Sequence, residues 1–205
     1  MKKITIEIVS DIICPWCYIG KARLERAIQL VEGELEVDVK MRPFFLYPNT
    51  PKGGRPKDDF KSVRKPGLGA LLRDEAAKEN LVIDYRKIER IPNTFEAHRL
   101  MHLCTDDAQR NELGKRLFQD FFERGKDVED PITLAAAASA CEMDKDLIKQ
   151  FLETDIGADA VQAEMDALKA DGISVVPTFI LNGEHSVAGA QPMENFQRYF
   201  SRLLR

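Results

Sequence analysis

The chain has 205 residues, 44% of them hydrophobic and 31% charged, with a formal net charge of −4. This is enough apolar content for one large domain, or one domain carrying a sizeable insertion. The mildly acidic balance argues against nucleic acid as a partner, because phosphate binding draws on basic surfaces, and no stretch approaches the apolar length of a membrane span.

Met1-Lys2-Lys3 opens like a secretory leader, but Glu7 and Asp11 interrupt the apolar run behind it. The chain is therefore expected in a reducing cytoplasm. Ile4 to Val9 reads as a buried strand, and the segment Ser10 to Gly20 follows with Cys14-Pro15-Trp16-Cys17 at its centre. Ala22, Leu24, Ala27, Ile28 and Val31 then recur on or near one face of a helix. Strand, tight turn, two cysteines and helix make a thioredoxin-like redox arrangement. Cys14 belongs at the helix N-cap, Pro15 at the first helical position, where no N–H is missed, and Cys17 one turn inside. A helix N-terminus offers free N–H groups and the positive end of the helix dipole, so a sulfur there is favoured as the thiolate that attacks disulfides.

Two other readings of the pair are weaker. A closed zinc site needs a second ligand pair at compact spacing, and the remaining cysteines, Cys104 and Cys141, are far apart. A structural disulfide within one helical turn constrains little. In a cytoplasm Cys14 and Cys17 can cycle, while Cys104 and Cys141 are expected as buried core thiols.

Further along, Glu34 to Arg42 alternates charged and apolar side chains, the pattern of a half-buried strand. Asn49 to Gly69, rich in Pro, Gly, Lys and Arg, reads as a mobile basic surface loop. From about Leu71 to Asp171 the pattern is helical. Ala70 to Lys78 forms a short helix, and Asn93 with Glu96 three residues on makes a capping box. Leu113, Leu117, Phe118, Phe121 and Phe122 stripe a helix ending near Gly125. Asp130-Pro131 opens an alanine-rich helix through Ala140. Asp144 caps another, with Leu147, Ile148, Phe151 and Leu152 as its buried stripe, and Val161, Met165 and Leu168 mark a helix closed by Asp171-Gly172. Val175 to Leu181 is then a strand, Asn182-Gly183 a hairpin turn, and His185 to Ala188 the return strand. Pro192 opens a last helix with Phe196, Tyr199, Phe200 and Leu203 on its apolar side. The expected fold is α/β: a discontinuous thioredoxin-like domain of residues 1–48 and 172–205, interrupted by a loop and all-helical insertion of residues 49–171.

With these pieces in order, the chain resembles the DsbA-like thioredoxin-fold oxidoreductases, and within them the cytoplasmic FrnE-like branch. The resemblance covers essentially the whole chain and is carried by Ser10–Gly20, Arg90–Leu100, Gly172–Phe179 and Val187–Pro192. Kappa-class glutathione transferases and 2-hydroxychromene-2-carboxylate isomerases are similar in topology, but carry serine at the position matching Cys14. The resemblance makes Val176-Pro177 the family's cis-proline facing the redox pair. An imide lacks an N–H, and cis geometry turns neighbouring backbone toward the sulfur; base rates alone favour a trans proline starting an edge strand. The Val176 main chain can then pair with an extended peptide or with glutathione, and Pro15, Trp16 and Val176 tune the pair. Glu7 matches an acid that related enzymes keep beneath the cysteines to shuttle the resolving thiol's proton. Inside an apolar strand an unpaired carboxylate is costly and its pKa is raised; a solvated, edge-facing Glu7 is the alternative. Asn93 and Arg99 are implied to line the substrate groove. His98 and His102, four apart, have metal-ligand spacing but no third ligand nearby, so no metal is expected.

These features predict a thiol–disulfide oxidoreductase acting on protein or peptide thiols and disulfides. Cys14 is the exposed nucleophile and Cys17 the resolving thiol. The Cys14–Cys17 disulfide serves as its own redox group. No tightly bound cofactor is expected, glutathione is a candidate co-substrate, and the chain is a monomer or homodimer. A glutathione-dependent transferase or isomerase, with the helix end activating glutathione's sulfur, is the alternative. A non-enzymatic peptide-binding or chaperone-like module is the third reading.

Overall fold

The computed structural model describes residues 2–204, apart from the side chains of Ser62 and Val63. Strand β1 (Lys2–Ser10) leads into helix α1 (Pro15–Gln29), which crosses over to β2 (Leu35–Pro43), parallel to β1 from Lys2↔Leu35 to Ser10↔Pro43. The chain returns to the same sheet only with β5 (Thr178–Leu181) and β6 (His185–Ala188), giving the order β2-β1-β5-β6. Strand β5 runs antiparallel to β1, with Val9 opposite Thr178, and β6 pairs with β5 as a hairpin. Helix α9 (Met193–Leu203) closes the unit.

Alternation along β1 divides the core. Ile4, Ile6 and Ile8 pack with Leu24, Ala27, Phe179, Phe196 and Phe200 on one side. Val9 and the segment beyond it, Ile12, Ile13, Cys14 and Cys17, pack with the inserted helices on the other. Those helices are α4 (Phe95–His102), α5 (Asp107–Phe122), α6 (Pro131–Ser139), α7 (Lys145–Leu152) and α8 (Ala158–Ala170), preceded by α2 (Lys61–Arg64) and α3 (Leu68–Ala77). Asp106, Asp130 and Asp144 cap α5, α6 and α7, each accepting from N–H groups of the first turn. Tyr18 of α1 stacks on Phe118 and Phe122 of α5, at ring-centroid distances of 5.1 and 5.9 Å, and donates to Glu123 at 2.6 Å. Arg23 of α1 joins Glu75 and Glu79 and also donates to the Ala190 carbonyl at 3.1 Å. One helix thus ties the redox motif to both the insertion and the chain's last segment.

Four local expectations are corrected. Asn49–Gly69 is not one structureless loop: β3 (Arg55–Pro56) pairs with β4 (Arg90–Ile91), and a 3₁₀ turn at Lys57–Asp59 leads into α2. Its anchor is Phe60, 2% exposed and packed near Tyr47, Tyr85 and Phe121, so one aromatic side chain overrides a loop-like composition. The capping box does not form: Thr94 is the N-cap, Asn93 Oδ1 accepts from the Phe95 N–H at 2.9 Å, and Glu96 pairs with Arg99. Leu147 stands 62% exposed while Ile148 and Phe151 are buried, because α7 packs across a narrower stripe than its sequence offers. Strand β5 starts at Thr178, and Val175 is 53% exposed outside the ladder, since Pro177 has no N–H to give it.

Candidate active site

Cys14 is the N-cap of α1, with φ −89° and ψ 111°, and Pro15 occupies the first helical position. No acidic side chain stands in the first turn to oppose an anion there. The Cys14 N–H donates to the Asp11 carbonyl at 3.0 Å, and the Cys14 carbonyl accepts from the N–H groups of Cys17 and Tyr18 at 3.0 and 3.2 Å. The Val176–Pro177 bond is cis, and the Cys14 thiol points at the Val176 carbonyl, 3.9 Å away. Sulfurs of Cys14 and Cys17 are both free thiols, brought together across one helical turn. The expectation of an exposed nucleophile is corrected: Cys14 is only 3% exposed, because the insertion and the Ile12-Ile13 turn close over it. Trp16 is half-buried against the same core.

Cys17 is fully buried. Burial pushes its thiol well above the ordinary cysteine range, and the adjacent Cys14 sulfur adds to the rise; the Asp11 backbone N–H and the Ser10 hydroxyl draw it back. Asp11 is itself fully buried. Its carboxylate accepts from the N–H groups of Leu46 at 2.7 Å and Ile13 at 3.4 Å, and lies 3.6 Å from His98 Nε2. His98 also lies 3.1 Å from the Phe44 carbonyl. Sequence reasoning did not single out Ser10 and Asp11. The signal that could have found them was a polar pair set between Val9 and Ile12-Ile13 in an otherwise apolar stretch, where each polar group must be doing something specific.

The other sequence candidates are engaged by partners of their own. Glu7, half-buried on the face of β1 opposite Ile6 and Ile8, pairs with Arg42 of β2, which also pairs with Glu164 of α8. The carboxylate is therefore a partner in an ion-pair network. Asn93 donates to the Thr50 carbonyl at 2.7 Å, and its own N–H donates to Glu129. Arg99, 2% exposed, spends its guanidinium on the carbonyls of Thr154 and Ile156 and on Glu96, with Phe151 against its face. Both line a cleft of about 1010 Å³ in the insertion, whose walls include Phe45, Phe95 and Thr154 but none of Cys14, Trp16 and Val176. His98 and His102 turn to different partners, Asp11 and Glu164. Among the described residues no group of three or more His, Cys, Asp or Glu side chains is set to hold a metal ion. Cys104 and Cys141 are buried, and burial raises both thiols, Cys104 to about 11.

A thioredoxin fold with a dithiol at a helix N-terminus, facing a cis-proline loop and roofed by helices, defines the class. Residues 5–201 match the DSBA-like thioredoxin domain, and the chain belongs to that family. It is 29% identical over 201 residues to the uncharacterized protein YwbO of Bacillus subtilis, covering 96% of this chain and 95% of the other. Among solved structures it is similar to the probable DsbA oxidoreductase SCO1869 of Streptomyces coelicolor, with a TM-score of 0.84 and 29% identity over 97% of this chain and 89% of that one. A 2-hydroxychromene-2-carboxylate isomerase shares the fold, with a TM-score of 0.79 at 16% identity over 98% of this chain and 96% of that one. Among the described residues no helix is long and apolar enough to cross a membrane.

Proposed function

We propose that this chain is a thiol–disulfide oxidoreductase of protein or peptide substrates, working through the Cys14-Pro15-Trp16-Cys17 pair in the reducing cytoplasm. The observation that carries the reading is the Cys14 sulfur at the α1 N-cap, with Cys17 one turn behind it and the Val176 carbonyl 3.9 Å in front. In the reductive direction the Cys14 thiolate attacks one sulfur of a substrate disulfide, and the other sulfur leaves as a thiolate. Cys17 then loses its proton and attacks the Cys14 sulfur, releasing the second substrate thiol and leaving the Cys14–Cys17 disulfide. Two electrons pass to the substrate, and a cellular thiol such as glutathione restores the dithiol. The oxidative direction is the reverse.

The near-complete burial of Cys14 favours a substrate fed in as an extended segment. The main chain of Val176 lies outside the β5 ladder and Val175 is exposed beside it, so a short strand can be laid there. The glutathione-dependent isomerase reading rests on fold alone, and paired sulfurs favour exchange chemistry over it. Insulin disulfide reduction with a recycling thiol tests the proposal. Wild type turns over, Cys14→Ser does not, and Cys17→Ser accumulates a mixed disulfide at Cys14. Undiminished turnover by Cys14→Ser would overturn the proposal.

A further inference from the structure

Residues 49–69 carry six Lys or Arg side chains against two aspartates, a net +4 in a chain that is −4 overall. The segment is ordered: Arg55–Pro56 pairs with Arg90–Ile91, and Phe60 is buried in the same cluster as Cys14. Of its cations, Arg55 pairs with Asp59 at 3.0 Å. Lys61, Arg64 and Lys65 stand exposed at and beside α2. Together with Lys57 just before that helix, they hold no ion pair among the described residues. We propose that this basic face docks acidic segments flanking the disulfides that Cys14 attacks, which rests on the oxidoreductase reading and names its substrate class.

The face sits beside the redox turn because Tyr47 joins the two. The Tyr47 hydroxyl accepts from the Lys61 N–H at 3.3 Å, its ring packs on Phe60 at a centroid distance of 5.9 Å, and the Arg55 guanidinium lies 6.0 Å over that ring. The preceding residue, Leu46, donates its N–H to the Asp11 carboxylate at 2.7 Å, and the Asp11 carbonyl accepts from the Cys14 N–H. Backbone packing thus holds the cations next to the turn that presents Cys14. A surface ion pair is individually worth little, so the face works as a summed field. It draws carboxylates toward the turn and raises their encounter rate, over a Debye length of about 10 Å at 0.1 M salt. Asp58 and Asp59 temper that field, and Asp59 is already held by Arg55. Like charges gathered without partners repel one another, and an anionic substrate relieves that repulsion. A phosphate backbone calls for a broader basic surface than an acidic chain presents, so an Asp- or Glu-bearing peptide is the occupant.

Two peptide disulfides, alike except for a run of Glu or a run of Lys beside the cystine, test the docking face. Each is reduced to its two thiols, with uncharged dithiothreitol supplying the two electrons through the Cys14–Cys17 pair, and turnover is read above the uncatalysed rate. Wild type should reduce the Glu-flanked peptide with a kcat/KM about tenfold higher at low ionic strength, and the ratio should fall toward one as salt is raised. In Lys61→Glu/Arg64→Glu/Lys65→Glu, KM should rise for the Glu-flanked peptide and fall for the Lys-flanked one, so that the preference reverses. A gain on one substrate cannot come from a damaged fold. Equal efficiency of wild type toward both peptides, or a preference unmoved by salt or by the triple substitution, would overturn the docking face. Failure of wild type to reduce either peptide would instead sink the oxidoreductase reading.

Discussion

Three buried thiols, Cys17, Cys104 and Cys141, give the molecule a pH dependence that can be read residue by residue. Burial raises Cys17 and Cys104, the latter from the ordinary 9.0 to about 11. Below pH 9 both the folded and unfolded chains hold these protons, and the preference for the neutral thiol is fully present. Above it the unfolded chain releases them first and binds fewer protons than the folded one, so stability falls as pH rises. Urea unfolding of the reduced protein should show a midpoint that declines from pH 9 toward 11, with a shallower decline in Cys104→Ala. The Cys14–Cys17 disulfide form should also decline less, because Cys17 no longer titrates. A midpoint that is flat or rising over that range would contradict the burial assigned to these thiols.

At the scale of elements, the contact between α1 and the C-terminal strands decides how the two halves of the site meet. Gly20 lies inside α1, where alanine is ordinarily worth about 1 kcal/mol more than glycine. A Cβ there would sit 3.1 Å from Phe179 Cζ, 3.2 Å from Pro177 Cγ and 3.3 Å from the Ala190 Cα. All three are tighter than ordinary contact, and one is backbone, so the helix would have to lift from the loop opposite Cys14. Overpacking of this kind costs about 1–3 kcal/mol, so Gly20→Ala should lower stability by roughly 1 kcal/mol after the propensity gain. Equal or greater stability of Gly20→Ala in urea would show that α1 has room to move. The chain uses glycine here for closeness.

At the scale of the whole molecule, the thioredoxin-like part and the insertion share one core. Cys14, Cys17, Tyr18 and Val9 from the N-terminal part lie in the same packed cluster as Leu100, Phe118, Phe121, Phe122 and Leu134. Trp16, the only tryptophan, packs against that cluster. Its fluorescence and the far-ultraviolet circular dichroism should therefore report one coincident unfolding transition. Two separated transitions would mean that the insertion folds as an independent unit.

The sequence made the order of elements legible because it is written locally, in the period-two run of β1, the helical stripes from α4 to α8 and the Asn182-Gly183 turn. The redox turn was legible for the same reason: N-cap, first-turn proline and resolving cysteine are neighbours in the chain. What was not legible depends on partners far away. Arg42 holds Glu7 from 35 residues away and is itself held by Glu164, 122 residues further on, and the carbonyls of Thr154 and Ile156 claim Arg99 from a segment beyond α7. Phe60 looked like one apolar residue in a basic loop until Tyr47, Tyr85 and Phe121 surrounded it. Local pattern gives elements; burial and ion pairing come from packing that pattern does not encode.

Cys14 and Cys17 acting as one redox unit is the central claim. Equilibrating the protein across glutathione redox buffers, quenching with acid and measuring thiol alkylation by mass tests it most directly. The account predicts a single two-electron transition between the dithiol and the Cys14–Cys17 disulfide, with Cys104 and Cys141 reduced throughout. Stable glutathione attachment at Cys14 while Cys17 stays a free thiol, or no oxidation of either cysteine, would contradict it.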